Sequence, residues 1–328
     1  MKHNSMRHQH GLSLIELMVA VVLGIFITGG MIQLFVNSNQ SYRVQENISR
    51  LQENGRFALD FISKDVRVAD FWGCLHGVAY IESNLNAGSV FDNFDRAISA
   101  TNNDGLNNSD SITISGAASS GVFVVDTPAS TSADLKVTDN SGLLENDVVI
   151  VSDCSDGDIF QITNNPSTGG AAGKDEVIHN TGAVSSGPGN QDKPLQKIYQ
   201  TDAQIYKLRT VTYSILAGQN GQPALFRSVN GAANEELVEG IENMQILYGV
   251  DTNDVDDTAN YYKPRDALTL VQMDQVNSIR ITLVATTLED NLATAAMPYS
   301  IFGVITTPAD RKIRRVFTST IAVRNRLL

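Results

Sequence analysis

Histidine and cysteine are the side chains best able to drive chemistry near neutral pH, and this 328-residue chain holds five and two of them. His3, His8 and His10 lie in the first ten residues, which leaves His76 and His179 for the body of the chain. A Ser-His-Asp or Cys-His centre must take its base from that pair, and neither stands in a nucleophile motif. No GxGxxG, P-loop or HExxH sequence occurs. Cys74, His76 and Cys154 make a three-ligand metal set at best, on a two-residue spacing that is a weak signal. The cysteines otherwise form a disulfide, which loop entropy values at about 4 kcal/mol for so long a loop, or stay as two buried thiols.

Charge clusters in three places. The acidic run Asp251, Asn253, Asp254, Asp256 and Asp257 is the chain's candidate for Ca²⁺, a hard cation that takes six to eight oxygen ligands. It fails the EF-hand template, with no Gly at the sixth place and no Glu at the twelfth, so a solvated acidic turn is the competing reading. Arg311, Lys312, Arg314, Arg315, Arg324 and Arg326 lie within 18 residues that contain no acid. That basic end reads as a solvated or partner-facing edge, with anionic lipid or DNA as further options. The third feature is a single carboxylate, Glu16, set into an apolar run. A charge there costs about 2.5–3.5 kcal/mol at membrane centre, less near the interface. Either it sits in the helix's first turn, where the dipole favours an anion, or it meets a cation. The nearest candidate cation is a new amino terminus made by cutting after Gly11.

The element that positions Glu16 is predicted to be a helix of unusual length. From Glu16 the next formal charge is Arg43, so 26 residues pass uncharged, more than the roughly 20 needed to cross a hydrocarbon core. Val44, Ile48, Leu51, Gly55, Ala58, Ile62, Val66 and Ala69 then recur every three or four residues. That is an amphipathic stripe, with Phe57 and Phe61 expected as an aromatic flank on the core. Beyond Phe71 the text changes to short runs punctuated by Gly, Ser, Asn and Asp, which predicts a mainly antiparallel sheet. The expected strands are 111–115, 122–125, 135–137, 148–152, 159–163, 203–216, 224–228, 244–248, 278–286 and 316–323. Residues 233–242 are ambiguous between strand and helical turn. Two stretches, 99–110 and the Gly-rich 164–194, read as long loops, the second with a short strand at 176–179.

These residues carry a resemblance. Gly11 followed by Leu12-Ser13-Leu14-Ile15-Glu16-Leu17-Met18-Val19-Ala20, behind a leader with Lys2 and Arg7 and no acid, resembles the type III signal of type IV prepilins and type II secretion pseudopilins. The resemblance implies cleavage between Gly11 and Leu12 by a prepilin peptidase, methylation of the new amine, and an assembly role for Glu16. The sequence departs from the pattern at the first residue after the cut, Leu12 where Phe is usual. Residues 237–250 (LVEGIENMQILYGV), 276–283 (VNSIRITL) and 316–326 (VFTSTIAVRNR) resemble the minor pilin PilW family.

The fold expected is α+β and pilin-like: a leader over 1–11, an N-terminal helix over 12–70 with its transmembrane part over 12–36, and a β-rich head over 71–328. The resemblance implies a minor pilin that primes type IV pilus assembly, sits in the tip complex and supports a large adhesin. Its partners would be other minor and major pilins, the prepilin peptidase and the inner-membrane assembly platform. It would be held in the inner membrane with a periplasmic head, then carried to the extracellular tip. No cofactor is expected beyond the Ca²⁺ candidate. The net charge of −12 becomes −14 without Lys2 and Arg7, which disfavours general nucleic-acid binding. The competing readings are a type II secretion pseudopilin, a pilus-borne surface- or DNA-binding module, and a signal-anchored envelope enzyme, which the scarcity of histidine disfavours.

Overall fold

The computed structural model describes residues 14–75, 77–91, 94, 96–169, 173–182, 186–253 and 256–327, with the side chains of 119–121 outside the description. Helix α1 runs unbroken from Leu14 to Val68, 55 residues, or about 80 Å at 1.5 Å per residue. Its two halves differ because their sequences do. From Leu14 to Arg43 every residue is exposed. Burial begins at Asn47 and continues at Leu51, Gly55, Ala58, Ile62, Ser63, Asp65 and Val66. The predicted stripe is thus the buried face from Leu51 onward. At its upper end the face rotates slightly, so Asn47 is buried and Val44 and Ile48 only half so. The expected aromatic flank is half wrong: Phe61 packs against the core, but Phe57 is 51% exposed.

The head is built on two long strands, β3 (Ser111–Asp126) and β8 (Gln204–Ala217). They pair antiparallel with Ile112 opposite Tyr213 and Phe123 opposite Gln204. Each carries two shorter partners on its outer side. Strand β2 (Ile98–Thr101) and then β4 (Leu135–Thr138) flank β3, while β9 (Pro223–Val229) and β5 (Val148–Ser152) flank β8. Strands β1 (Ile81–Ser83), β6 (Gly157–Gln161), β7 (Lys174–Val177) and β10 (Glu235–Glu239) complete a ten-stranded sheet. Among the described residues, the β1–β6 pair in it is the parallel one. A second sheet runs β12 (Tyr261–Lys263), β11 (Ile241–Val250), β13 (Val276–Thr286), β16 (Arg314–Ala322). A separate hairpin joins β14 (Tyr299–Ile301) to β15 (Val304–Thr306).

Two predicted strands, 111–115 and 122–125, are therefore one. The Gly-Ala-Ala-Ser-Ser-Gly between them lacks apolar alternation, and the register slips there, between Ala118 and Val122. The expected loop at 99–110 is also tighter than predicted. Asp110 is 3% exposed and accepts from Ile246 N at 2.7 Å and Asn103 N at 2.9 Å, with burial raising its pKa. Asn107 and Asn108 exchange hydrogen bonds with β11 through Glu242 O, Asn243 Nδ2 and Gln245 Nε2. Asn and Asp here splice one sheet to the other. The ambiguous 233–242 contains β10.

The core has a proximal and a distal part. Near the helix, Leu51, Ala58, Ile62, Val66 and Ala69 pack with Ile279, Ile281, Leu283 and Ile321 of the four-stranded sheet and with Ile112, Ile114, Val211 and Tyr213 of the large one. Farther out, Val122, Val124, Val149, Val151, Phe160, Tyr199 and Ile205 form a second cluster, and Trp72, Leu75, Ile150, Ile159 and Leu208 a third.

Candidate functional site

The site is α1 itself: an apolar half that is exposed among the described residues, and a second half gripped by the head. Gly11 and Leu12 lie outside the described residues. Glu16 stands in the first turn of α1, among Leu14, Ile15, Leu17 and Met18, each more than half exposed. Its position in that turn suits the helix dipole. Among the described residues, α1 is the one helix long and apolar enough to cross a membrane.

The grip is set at successive levels. Arg43 Nη2 meets Glu289 Oε2 at 2.5 Å, and Asn54 Nδ2 donates to Glu239 O at 3.1 Å. At Gly55 the ring of Phe317 from β16 lies against the helix backbone. A Cβ there would fall 2.3 Å from Phe317 Cε2, so the sequence needs glycine for close approach. Lower down, Asp65 is 9% exposed and accepts from Arg209 Nη1 at 2.6 Å and Tyr213 Oη at 2.7 Å, which fixes α1 to β8. Burial, reinforced by that bond, raises the Tyr213 pKa, so the phenol stays a donor. Past the helix end, Arg326 Nε pairs with Asp70 Oδ2 at 2.5 Å, and Asn325 Nδ2 donates to Ala69 O at 2.9 Å. The amide satisfies a carbonyl just past the helix C-terminus, and the cation stands where the helix dipole favours positive charge.

Cys74 and Cys154 are joined as a disulfide, which ties the segment after α1 to the β5–β6 turn. The bond removes both thiols from any metal set, and His76 lies outside the described residues. His179 is fully buried, with Nε2 3.2 Å from Ala133 O and its ring 5.1 Å from Phe160. Burial lowers its pKa; it is a core histidine.

The acidic run closes on itself. Asp251 is 5% exposed and accepts from Asn253 N at 3.1 Å and Asn277 Nδ2 at 3.3 Å, and Asp256 Oδ1 accepts from Thr258 N. Asn277 Nδ2 also donates to Asp257 O, while Asp254 lies outside the described residues. Among the described residues no group of three or more His, Cys, Asp or Glu converges as a metal site. The Asp251 and Asp256 carboxylates are used as turn-forming acceptors.

The basic end is not one face. Arg314 has a side chain only 4% exposed, held by Glu242 at 2.6 Å and Asp310 at 2.6 Å. That pairing with Arg314 holds the Asp310 carboxyl down at about 2. Arg326 is bound to Asp70 and to Met273 O, Lys312 to Gln222, and Arg311 to Asn291. Arg315 and Arg324 remain exposed. The sequence reading also passed over Asp65. Its signal was there, three residues after Ile62 and four before Ala69, on the apolar stripe itself.

Comparison with known proteins agrees with this division of the helix. A model of the family described as type IV pilus-assembly protein W, PilW, matches residues 212–325, which run from β8 through β16 and include the whole four-stranded sheet. A model of the prokaryotic N-terminal methylation motif matches residues 6–32, across Glu16 and most of the apolar half. No curated protein and no solved structure matches the chain significantly. The prepilin signal and the exposed apolar half make α1 a single membrane anchor, and the family is one of structural pilins rather than enzymes. With one match on the helix and the other taking in the sheet that seats it, these findings support a type IV pilin of the PilW family.

Proposed function

We propose that this chain is a minor pilin that primes type IV pilus assembly and takes its place in the tip complex, where it supports a tip adhesin. The observation that carries the reading is the pairing of a prepilin signal on the exposed half of α1 with a PilW head on its buried half. Cleavage between Gly11 and Leu12 by the prepilin peptidase frees an amine, and Glu16 attracts the methylated amine of a neighbouring subunit. An ion pair is favoured there because a lone charge among packed apolar helices is costly, and the pairing sets the axial register between subunits. The work is mechanical, without turnover.

The head follows when the helix is drawn out of the membrane, since load passes through the Gly55–Phe317 contact, Asp65–Arg209–Tyr213 and Asp70–Arg326. Before extraction the subunit spans the inner membrane once with a periplasmic head; afterwards it is extracellular. Its partners are other minor and major pilins and the inner-membrane assembly platform. Mass spectrometry of the amino terminus in membranes and in sheared pili tests this. A methylated Leu12 terminus in both fractions, scarce in the pili, is the expected result. An intact Met1 in both overturns it, and a processed form confined to membranes moves the assignment to a type II secretion pseudopilin.

A further inference from the structure

We propose that the β14–β15 hairpin is a second membrane-contacting element, whose apolar tip inserts into the lipid headgroup layer beside α1. Residues 292–309 carry no formal charge, in a chain where 18% of residues are charged. Within that stretch Met297, Phe302, Val304 and Ile305 are 42%, 46%, 69% and 73% exposed. Water-facing apolar side chains gathered on one projection mark a contact surface. The turn deepens the point. Phe302 and Gly303 both take positive φ, 48° and 87°, as a two-residue type I′ hairpin turn requires. Asn or Asp satisfies that geometry at little cost, whereas a bulky residue at φ > 0 is an outlier and costs on the order of 1–3 kcal/mol. The hairpin thus holds a phenylalanine at its outermost point against the preference of its own backbone.

Position selects lipid as the occupant. The excursion from β13 to β16 that bears the hairpin is tied to α1 by Glu289 on Arg43, and its base is closed by Thr287 N to Ile313 O and Ala293 N to Arg311 O. Arg43 is seven residues past Val36, where the apolar run ends, or about 10 Å along the helix. The headgroup layer takes up roughly 5–7 Å of that distance. The three residues of β14, Tyr299–Ile301, reach about 10 Å, more than the gap that remains. The patch therefore adjoins the apolar half of α1. Charges around the base are compatible with it: Glu289 is paired with Arg43 and Asp310 with Arg314, Asp290 Oδ1 accepts from Arg311 N, and the Arg311 side chain is exposed. The proposal rests on α1 being a membrane anchor and is independent of the pilus-priming role.

The test is the full chain in proteoliposomes, carrying Phe302→Trp, with or without phospholipids brominated near the top of the acyl chain. Trp72, the only native tryptophan, is 1% exposed inside the head and supplies an unquenched background that also reports folding. The added tryptophan is expected to emit at shorter wavelength than in water and to lose roughly half its intensity to the brominated lipid, as a side chain seated at the headgroup–acyl boundary does. Ile305→Trp, at the most exposed of the four positions, gives the same readout if the turn rejects tryptophan. Water-like, unquenched emission from both variants overturns the proposal. So does a blue-shifted emission that ignores brominated lipid and grows with protein density, which assigns the hairpin to a neighbouring subunit.

Discussion

Gly55→Ala separates two opposed effects of one methyl group. In an isolated helix the change stabilises, because Ala exceeds Gly by about 1 kcal/mol in a helix interior. Here the new Cβ falls 2.3, 2.6 and 2.7 Å from Cε2, Cδ2 and Cζ of Phe317, distances that no non-bonded carbon pair tolerates. The ring must leave its seat or the helix must lift from β16, and overpacking of this kind costs about 1–3 kcal/mol. Phe317 is only half-buried, so part of the clash relaxes toward solvent, and a net loss of about 1 kcal/mol is expected. Phe317→Ala removes the obstacle, and in that background Gly55→Ala should become stabilising by up to about 1 kcal/mol. The two changes are therefore coupled by roughly 2 kcal/mol. Urea unfolding of the detergent-solubilised chain, read through buried Trp72, measures all four corners of the cycle. A Gly55→Ala that stabilises equally in both backgrounds would show that β16 does not press on the helix here.

Three further outcomes are expected. Replacing Cys74 and Cys154 together by Ser should lower the head's stability by about 4 kcal/mol on the loop-entropy model, and two free thiols in the unreduced, denatured parent would contradict the bridge. Asp158 is fully buried and accepts from Tyr199 Oη at 2.6 Å; burial pushes its carboxyl from 3.8 up to about 6. A raised folded-state value contributes stability that is present below about pH 4 and lost as pH rises through 6, worth roughly 3 kcal/mol. Asp158→Asn should abolish that slope, so a parent-minus-variant difference that stays flat from pH 4 to 7 would refute it. Glu16→Ala should still be cleaved yet prime fewer pili, counted by electron microscopy; unchanged piliation would remove the role given to Glu16.

Much of the architecture was legible in the sequence because it depends on period and length. The apolar run and the stripe from Leu51 to Ala69 gave α1 within two residues at its described end. The strands at 148–152 and 278–286 were legible because their apolar runs are bounded by turn residues. What failed was information held in tertiary partners. Nothing local distinguishes the Asn107 and Asn108 that bond to β11 from Asn in a solvated loop. The same applies to Arg314, whose run of basic neighbours hid that Glu242, 72 residues away, would bury it. Phe57 and Phe61 differ by four residues, close to one turn, yet only Phe61 meets the core, because the head covers a narrower arc of α1 than two aromatic positions suggest.

The clamp at the lower end of the helix also has a timing. Asn325 and Arg326 reach Ala69 and Asp70 across 256 residues of sequence, and β16, which holds Phe317 and Ile321 against the stripe, comes nearly as late. The helix is made long before the strand that covers it. Contacts so distant in sequence form late, because the intervening loop must close before they return any energy. Until then the Leu51–Ala69 stripe lacks its cover, so the contacts that close the clamp also report that synthesis has run to β16. A chain stopped short of that strand keeps its anchor but exposes its core stripe.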